Sequence, residues 1–243
     1  MMLLTGFHAI EERIKSGRSC GPLLVAKAGP RAREIVSLAT NKKIRIDRVG
    51  AFDLDGLAPD NRGIALQVED EADSVDISLD DFIAGLGERR DVLVLILDEI
   101  TDPHNYGAIL RCCDQFAVDL VLGRNRRSAK HASVISQTSA GAVSWVMQAE
   151  ASNLVRAIDD LKEAGFWIYG ADMEGEPVYT KDLSGRVALV LGSEGGGISR
   201  LLHERCDGMV GIPSYGKIDS LNVSVAAGVF LYEVQRQRIF KAK

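Results

Sequence analysis

Cysteine and histidine are both scarce in this 243-residue chain, with four of each. Cys20, Cys112, Cys113 and Cys206 form no Cys-x-x-Cys pair, and the neighbours Cys112 and Cys113 cannot both serve an ordinary disulfide framework. A reducing compartment is therefore expected. His8, His104, His131 and His203 add no zinc-ligand spacing, so no structural metal is expected. No apolar run approaches the roughly 18–20 residues of a membrane span. The opening Met1-Met2-Leu3-Leu4-Thr5-Gly6 lacks the basic flank and long apolar stretch of a secretion signal. These absences point to a cytoplasmic protein that does not enter a membrane.

An overall basic charge is also missing. The formal net charge is −5, which argues weakly against nucleic acid as a partner. Its distribution is uneven. Residues 1–70 carry 11 Lys and Arg against 9 Asp and Glu, residues 71–90 carry 2 against 6, and residues 91–243 carry 16 against 19. The acid excess is densest in a short middle stretch, so the sum does not decide the partner.

What is present is an ordinary globular composition, 46% hydrophobic and 26% charged, in a chain long enough for one large or two modest domains. The acidic, solvated stretch Glu69-Asp70-Glu71-Ala72-Asp73-Ser74-Val75-Asp76 reads as a boundary. Three segments follow: a small α/β domain over 1–70, an acidic linker over 71–90 and a larger domain over 91–243. In the first, apolar spacing predicts helices over 7–14 and 31–40 and strands over 23–26, 44–49 and 64–68. In the last, the unbroken run Val92-Leu93-Val94-Leu95-Ile96-Leu97 suits a strand buried on both faces of a parallel sheet. Helices over 106–116, 132–139, 153–164 and 221–240 alternate with strands over 118–122, 166–169, 187–191 and 209–212. That alternation predicts an open, mostly parallel α/β sheet with helices on both faces.

In such sheets ligands bind at the carboxyl ends of strands, and three of those ends are polar and glycine-containing. The first is Asp98-Glu99-Ile100-Thr101-Asp102-Pro103-His104-Asn105-Tyr106-Gly107-Ala108-Ile109-Leu110-Arg111, with Asn105 as the expected helix cap. The second, Leu191-Gly192-Ser193-Glu194-Gly195-Gly196-Gly197, allows close backbone approach to a ligand. It is not a Walker A loop, because no Gly-Lys-Ser/Thr follows. The carboxylate of Glu194 would repel a pyrophosphate and suits a cationic ligand or a hydroxyl donor. The third runs from Ile212-Pro213 to Ser220-Leu221-Asn222-Val223-Ser224, with Ser220 as the expected cap of the last helix. Each segment alone also fits a capped helix or a tight turn.

Their ordered combination is more specific. Asn105-Tyr106-Gly107-Ala108-Ile109-Leu110-Arg111, Leu191-Gly192-Ser193-Glu194-Gly195, and Ile212-Pro213 through Ser220-Leu221-Asn222-Val223-Ser224-Val225-Ala226 resemble the three signature motifs of SPOUT-class, TrmH-type RNA 2′-O-methyltransferases. The likeness covers 91–243. It extends to Gly6-Phe7-His8-Ala9-Ile10-Glu11, similar to the start of the small ribosomal-protein-like RNA-binding domain of the rRNA-modifying subgroup. The departures are Gly196, Ser214 and Cys112, where Lys, Met and Ser are usual, and Asp60-Asn61-Arg62-Gly63 in place of a His-Gln-Gly.

The resemblance implies a deep trefoil knot in the C-terminal domain, S-adenosylmethionine as methyl donor, and a homodimer. The backbone at Leu191, Gly192, Gly195, Ile212 and Leu221 would hold the donor. Arg111, Asn105, Glu194, Ser220 and Asn222 would surround the ribose, with Asn105 orienting Arg111 and Glu194 holding the Arg111 network or the ribose. A guanidinium stays protonated throughout the physiological range and is a poor general base unless strongly desolvated beside another cation, so phosphate binding and alkoxide stabilisation are the expected role of Arg111. Arg124, Arg126, Arg127 and Lys130 form the densest basic cluster and would contact RNA phosphates.

The expected substrate is structured RNA, 23S ribosomal RNA before tRNA. The intact Asn105, Arg111, Glu194 and Ser220-Leu221-Asn222 argue against a non-catalytic assembly factor. A nucleotide-dependent oxidoreductase would need a glycine fingerprint after the first strand, and Asp98-Glu99-Ile100-Thr101-Asp102-Pro103 is not one.

Overall fold

The structure is a computed structural model, and it describes residues 2–17, 20–58, 61–68, 75–124, 129–217 and 220–241. The chain divides into two compact units, Met1–Asp73 with Arg127–Trp145 and Ser74–Arg126 with Val146–Lys243.

The first unit contains β1 (Met2–Leu4), α1 (Phe7–Lys15), β2 (Leu23–Val25), α2 (Pro30–Asn41), β3 (Ile46–Arg48), α3 (Ala51–Leu57) and β4 (Ile64–Val68). Its sheet runs β1-β4-β2-β3, with β2 and β3 parallel and β4 antiparallel to both β1 and β2. Ile10 and Ile14 of α1, and Ile35 and Ala39 of α2, recur at helical spacing and are buried with Leu23, Ile64 and Leu66 of the sheet. Proline at the first position of α2 suits a helix start.

The second unit begins inside the stretch expected to be a linker. Residues 69–74 lie outside the described residues, but β5 (Val75–Asp76) pairs in parallel with a strand of the large sheet. The next helix, α4 (Leu79–Ala84), is capped by Ser78, whose Oγ accepts the Asp81 N–H at 3.0 Å. Leu79, Phe82 and Leu86 lie at helical spacing and enter the large core. The acids of this segment occupy the outward positions; Asp80 and Asp81 are exposed while Leu79 and Phe82 on either side of them are buried.

The other elements are β6 (Val92–Leu97), α5 (Pro103–Gln115), β7 (Leu120–Gly123), α6 (Ala129–Thr138, in the first unit), β8 (Met147–Glu150), α7 (Leu154–Glu163), β9 (Trp167–Pro177), β10 (Arg186–Leu191), α8 (Arg200–His203), β11 (Gly208–Gly211) and α9 (Val223–Lys241). The seven-stranded sheet has the order β11-β9-β10-β6-β7-β8-β5. Every pairing in it is parallel. All six residues of β6 are buried. Val92, Val94 and Ile96 pack with α4 and α7, whose Leu154, Ala157, Ile158 and Leu161 form one apolar stripe. Leu93, Leu95 and Leu97 on the opposite face are equally enclosed. Each such side chain contributes roughly 1.5–3 kcal/mol on burial.

Strand order also locates a crevice. From β6 the chain proceeds toward β7 on one side, while from the adjacent β10 it proceeds to β11 on the other. Connections that diverge from neighbouring parallel strands open a cleft at their carboxyl ends.

Candidate active site

The cleft is bounded by the loops after β6, β10 and β11, the three segments singled out by the sequence. After β6, the helix starts earlier than expected. Asp102, not Asn105, is the cap of α5: its two oxygens accept the N–H groups of His104 and Asn105, each at 3.2 Å. Pro103 occupies the first helical position. Asp followed by Pro is a strong start signal, and it moves Asn105 into the first turn, leaving its side chain available for another partner.

That partner is Asn222. Its amide Nδ2 donates to Asn105 Oδ1 at 2.9 Å and also to Glu194 Oε1. Glu194 Oε1 additionally accepts the Val223 N–H at 3.3 Å. One amide thus joins the three loops. The cap of α9 is likewise displaced from the expected Ser220. Asn222 Oδ1 accepts both the Ser224 N–H at 3.0 Å and the Ser224 hydroxyl at 2.6 Å, while the Ala226 N–H reaches the Asn222 carbonyl at 2.9 Å. Two neighbouring polar residues competed for the role, and Asn is at least as good a cap as Ser. Ser220 is exposed before the helix.

The glycine-rich loop is folded tightly on itself. Ser193 N–H donates to the Gly197 carbonyl at 3.1 Å and Gly197 N–H to the Ser193 carbonyl at 2.9 Å. Gly195 and Gly197 have φ of +79° and +63°, with open space where a Cβ would stand. Gly192 is the opposite case: a Cβ there would lie 2.0 Å from the Gly197 carbonyl carbon. The loop is anchored by Asp98, a residue to which the sequence reading gave no role. Asp98 is fully buried, and its Oδ2 accepts the Ser199 N–H at 2.8 Å. An acid directly after six buried apolar residues was the available signal, since a carboxylate at that depth requires a partner.

Arg111, two turns into α5, is exposed. Among the described residues no hydrogen bond or ion pair is formed with its guanidinium. Asn105 and Glu194 are joined to each other through Asn222. Beside Arg111, burial pushes the Cys112 thiol up while the guanidinium pulls it down. Burial thus opposes thiolate formation and with it nucleophilic chemistry at this position. Of the basic cluster, Arg124 is exposed, with Glu99 Oε1 at 3.9 Å. Arg126 and Arg127, and the side chain of Lys130, lie outside the described residues. No group of three or more His, Cys, Asp or Glu suited to a metal occurs among the described residues. No helix among them is long and apolar enough to cross a membrane.

The cleft can hold a methyl donor of the S-adenosylmethionine type. Its glycine loop leaves backbone open at Gly195 and Gly197, apolar Ile212 and Leu221 follow on the third loop, and the only carboxylate in the glycine loop, Glu194, complements a cation. Residues 92–232 match the SpoU rRNA Methylase family. The chain belongs to that family. Residues 3–72 match a second family model, RNA 2′-O ribose methyltransferase substrate binding. The chain is 39% identical over 218 residues to an uncharacterized tRNA/rRNA methyltransferase of Borreliella burgdorferi, covering 87% of this chain and 96% of that one. It is 38% identical over 240 residues to the 23S rRNA (guanosine-2′-O-)-methyltransferase RlmB of Neisseria meningitidis, covering 97% and 95%. In structure it resembles the SpoU methyltransferase AviRb of Streptomyces viridochromogenes in complex with AdoMet, with a TM-score of 0.75 at 25% identity and coverage of 98% and 90%. The expected chemistry is therefore the family's: S-adenosylmethionine-dependent RNA ribose 2′-O-methylation.

Proposed function

We propose that this chain methylates a ribose 2′-hydroxyl of 23S ribosomal RNA, in the cytoplasm, with Arg111 as the residue closest to the reaction. The observation that carries the reading is the joining of three loops at one cleft by Asn222, with the exposed, unengaged Arg111 on the helix that leads out of it. The two-domain match to a 23S rRNA-modifying relative over almost its whole length favours ribosomal RNA over tRNA.

When bound, S-adenosylmethionine supplies an electrophilic methyl group on a sulfonium. The backbone at Leu191, Gly192, Gly195, Ile212 and Leu221 would hold it. Arg111 binds the phosphate flanking the target ribose and stabilises the oxyanion that develops on its 2′ oxygen as the hydroxyl proton passes to solvent. Asn105, Glu194 and Asn222 form one rigid floor beneath the ribose, and Ser220 at its rim is a further hydroxyl for substrate contact. Arg124, Arg126, Arg127 and Lys130 add phosphate contacts that weaken with salt. Residues 1–70 serve as the RNA-recognition domain, and 91–243 as the catalytic one.

Two further features belong to this proposal. The first is a trefoil knot in the C-terminal chain. Its support is the match of residues 92–232 to the SpoU rRNA Methylase family, since the SPOUT class that the motifs resemble carries such a knot. The second is a homodimer. Val225, Val229, Tyr232 and Ile239 on one side of α9 are exposed at helical spacing, which leaves an apolar stripe to be covered by a second copy.

The test is Arg111→Ala. It should reduce methyl transfer at least about 100-fold, as loss of an oxyanion-stabilising group does, with donor affinity unchanged by calorimetry. Transfer at near wild-type rate would remove Arg111 from the reaction.

A further inference from the structure

In the first unit, one end of the small sheet gathers an exposed aromatic ring and several cations. β2 and β3 finish together at Val25 and Arg48, and β4 begins opposite Val25 at Ile64. The connections leaving this end therefore lie side by side. The N–H groups of Ala26 and Lys27 donate to the Gly63 carbonyl at 2.9 and 3.1 Å, and the Val49 N–H donates to the Val25 carbonyl at 3.1 Å. Lys27, Arg48 and Arg62 are thereby brought to one edge, all three exposed.

Two local features suggest that this edge is shaped for a ligand. Arg62 adopts φ +52°, a left-handed conformation that costs a non-glycine residue stability. Buried Asn61 enforces it: its Oδ1 accepts the Gly63 N–H at 2.6 Å, while its amide donates to Asp55 Oδ1 at 2.6 Å and to the Ala58 carbonyl at 2.8 Å. Secondly, Phe52 in the first turn of α3 is 90% exposed. Water gains nothing from an aromatic ring held out on a helix that buries only Leu54.

The N-terminus of α2 opens at the same end, directly after β2. Its cap Gly29 offers no side-chain hydrogen bond, and its first turn carries no acid. Arg33 follows in a position where the helix dipole disfavours a cation. Of the acids nearby, Glu34 and Glu11 are paired with Arg31 and Asp47 with Arg45, which leaves Asp53 and Asp55 of α3 against Lys27, Arg33, Arg48 and Arg62. The balance is positive around an exposed ring.

We infer that this edge binds an unpaired segment of RNA: a base stacks on Phe52, and the adjoining phosphates lie against Lys27, Arg48, Arg62 and the start of α2. Base-on-aromatic stacking requires a nucleotide out of its helix, so the partner is a loop, bulge or strand and not a duplex. The inference rests on the reading of 1–70 as the RNA-recognition domain and specifies which of its faces acts, and on what.

Binding of the full chain to a short unstructured RNA of mixed sequence, and to duplex RNA of the same length, tests it by fluorescence anisotropy. Phe52→Ala should weaken the unstructured strand by about 10-fold or more, the usual effect of removing a stacking ring, and leave the duplex within about 2-fold. Phe52→Leu, which keeps apolar bulk without the ring, should behave like Phe52→Ala, whereas Phe52→Trp should bind normally with its emission quenched. Arg62→Ala should lower the salt dependence by about one unit of slope. Because Phe52 is so exposed, the circular dichroism of these variants should be that of the wild type. Unchanged affinity for the unstructured strand, equal weakening of both probes, or a change in sedimentation without one in RNA affinity would overturn the inference; the last would make the ring a protein contact. Methyl transfer by the wild-type chain in parallel separates the two levels. If transfer to ribose proceeds and Phe52→Ala binds normally, only this inference fails; if no RNA is methylated, the functional reading fails.

Discussion

Asn222 performs two tasks, and they can be taken apart. Its Oδ1 caps α9 through Ser224, and its Nδ2 links Asn105 to Glu194. Asn222→Ala should lose both, with about 1 kcal/mol of stability from the cap and a larger loss of turnover. Asn222→Ser should recover the melting temperature, because serine also caps, but not the turnover, because it cannot reach two loops. Equal recovery of both would mean that the bridge is only structural. The participants at this scale were legible in the sequence, because Asn105, Glu194 and Asn222 each stand in a polar loop. Their partnerships were not. Caps are decided by competition between neighbours one or two residues apart, so Asp102 displaced Asn105, and Asn222 displaced Ser220. The freed Asn105 then became a bridge acceptor.

At the scale of elements, the glycine loop and α9 each give a prediction. Gly192→Ala should abolish donor binding and destabilise the domain, since backbone atoms 2.0 Å away cannot yield as a side chain would. Gly195→Ala meets only the cost of its φ of +79°, about 1 kcal/mol, and should retain most of its stability; thermal melts and donor titrations of the two variants make the comparison. On α9, Arg236 grips Glu233 through two 2.7 Å contacts, and Gln237 donates to the same carboxylate at 2.8 Å. These contacts, Arg236 foremost, hold the carboxyl below its usual value of 4.5. A depressed folded-state value means that the stabilisation is complete above about pH 4.5 and disappears as pH falls through the lower value. Glu233→Gln should thus cost roughly 1–3 kcal/mol at pH 7, as for a charged hydrogen bond, and progressively less as pH falls below about 4.5. A constant difference across that range would assign the effect to packing. Strong periodic elements such as β6 and α7 could be read from sequence directly. The helix α4 could not, because the acids of 71–90 masked Leu79, Phe82 and Leu86 between them. The 11-residue β9 extends far beyond its apolar start because its later residues are held by β11 across a register shift, a non-local effect.

At the scale of the whole molecule, the proposed homodimer would cover the apolar stripe of α9 with a second copy. Val229→Asp, at a 38% exposed position, should shift the sedimentation of the proposed dimer to that of a monomer without unfolding the chain; an unchanged profile would exclude this stripe as the interface, and a monomeric wild type would remove the dimer. The position of the transferred methyl group decides the chemistry. Total RNA from cells lacking this activity, incubated with the protein and methyl-labelled S-adenosylmethionine, is separated by size and hydrolysed in alkali. A methylated 2′ oxygen cannot attack its own phosphate, so label should survive as an alkali-resistant dinucleotide from the large-subunit ribosomal RNA, and vanish with Arg111→Ala. Label released as an ordinary mononucleotide, which would place the methyl group on a base, or no label in any RNA, would contradict the account.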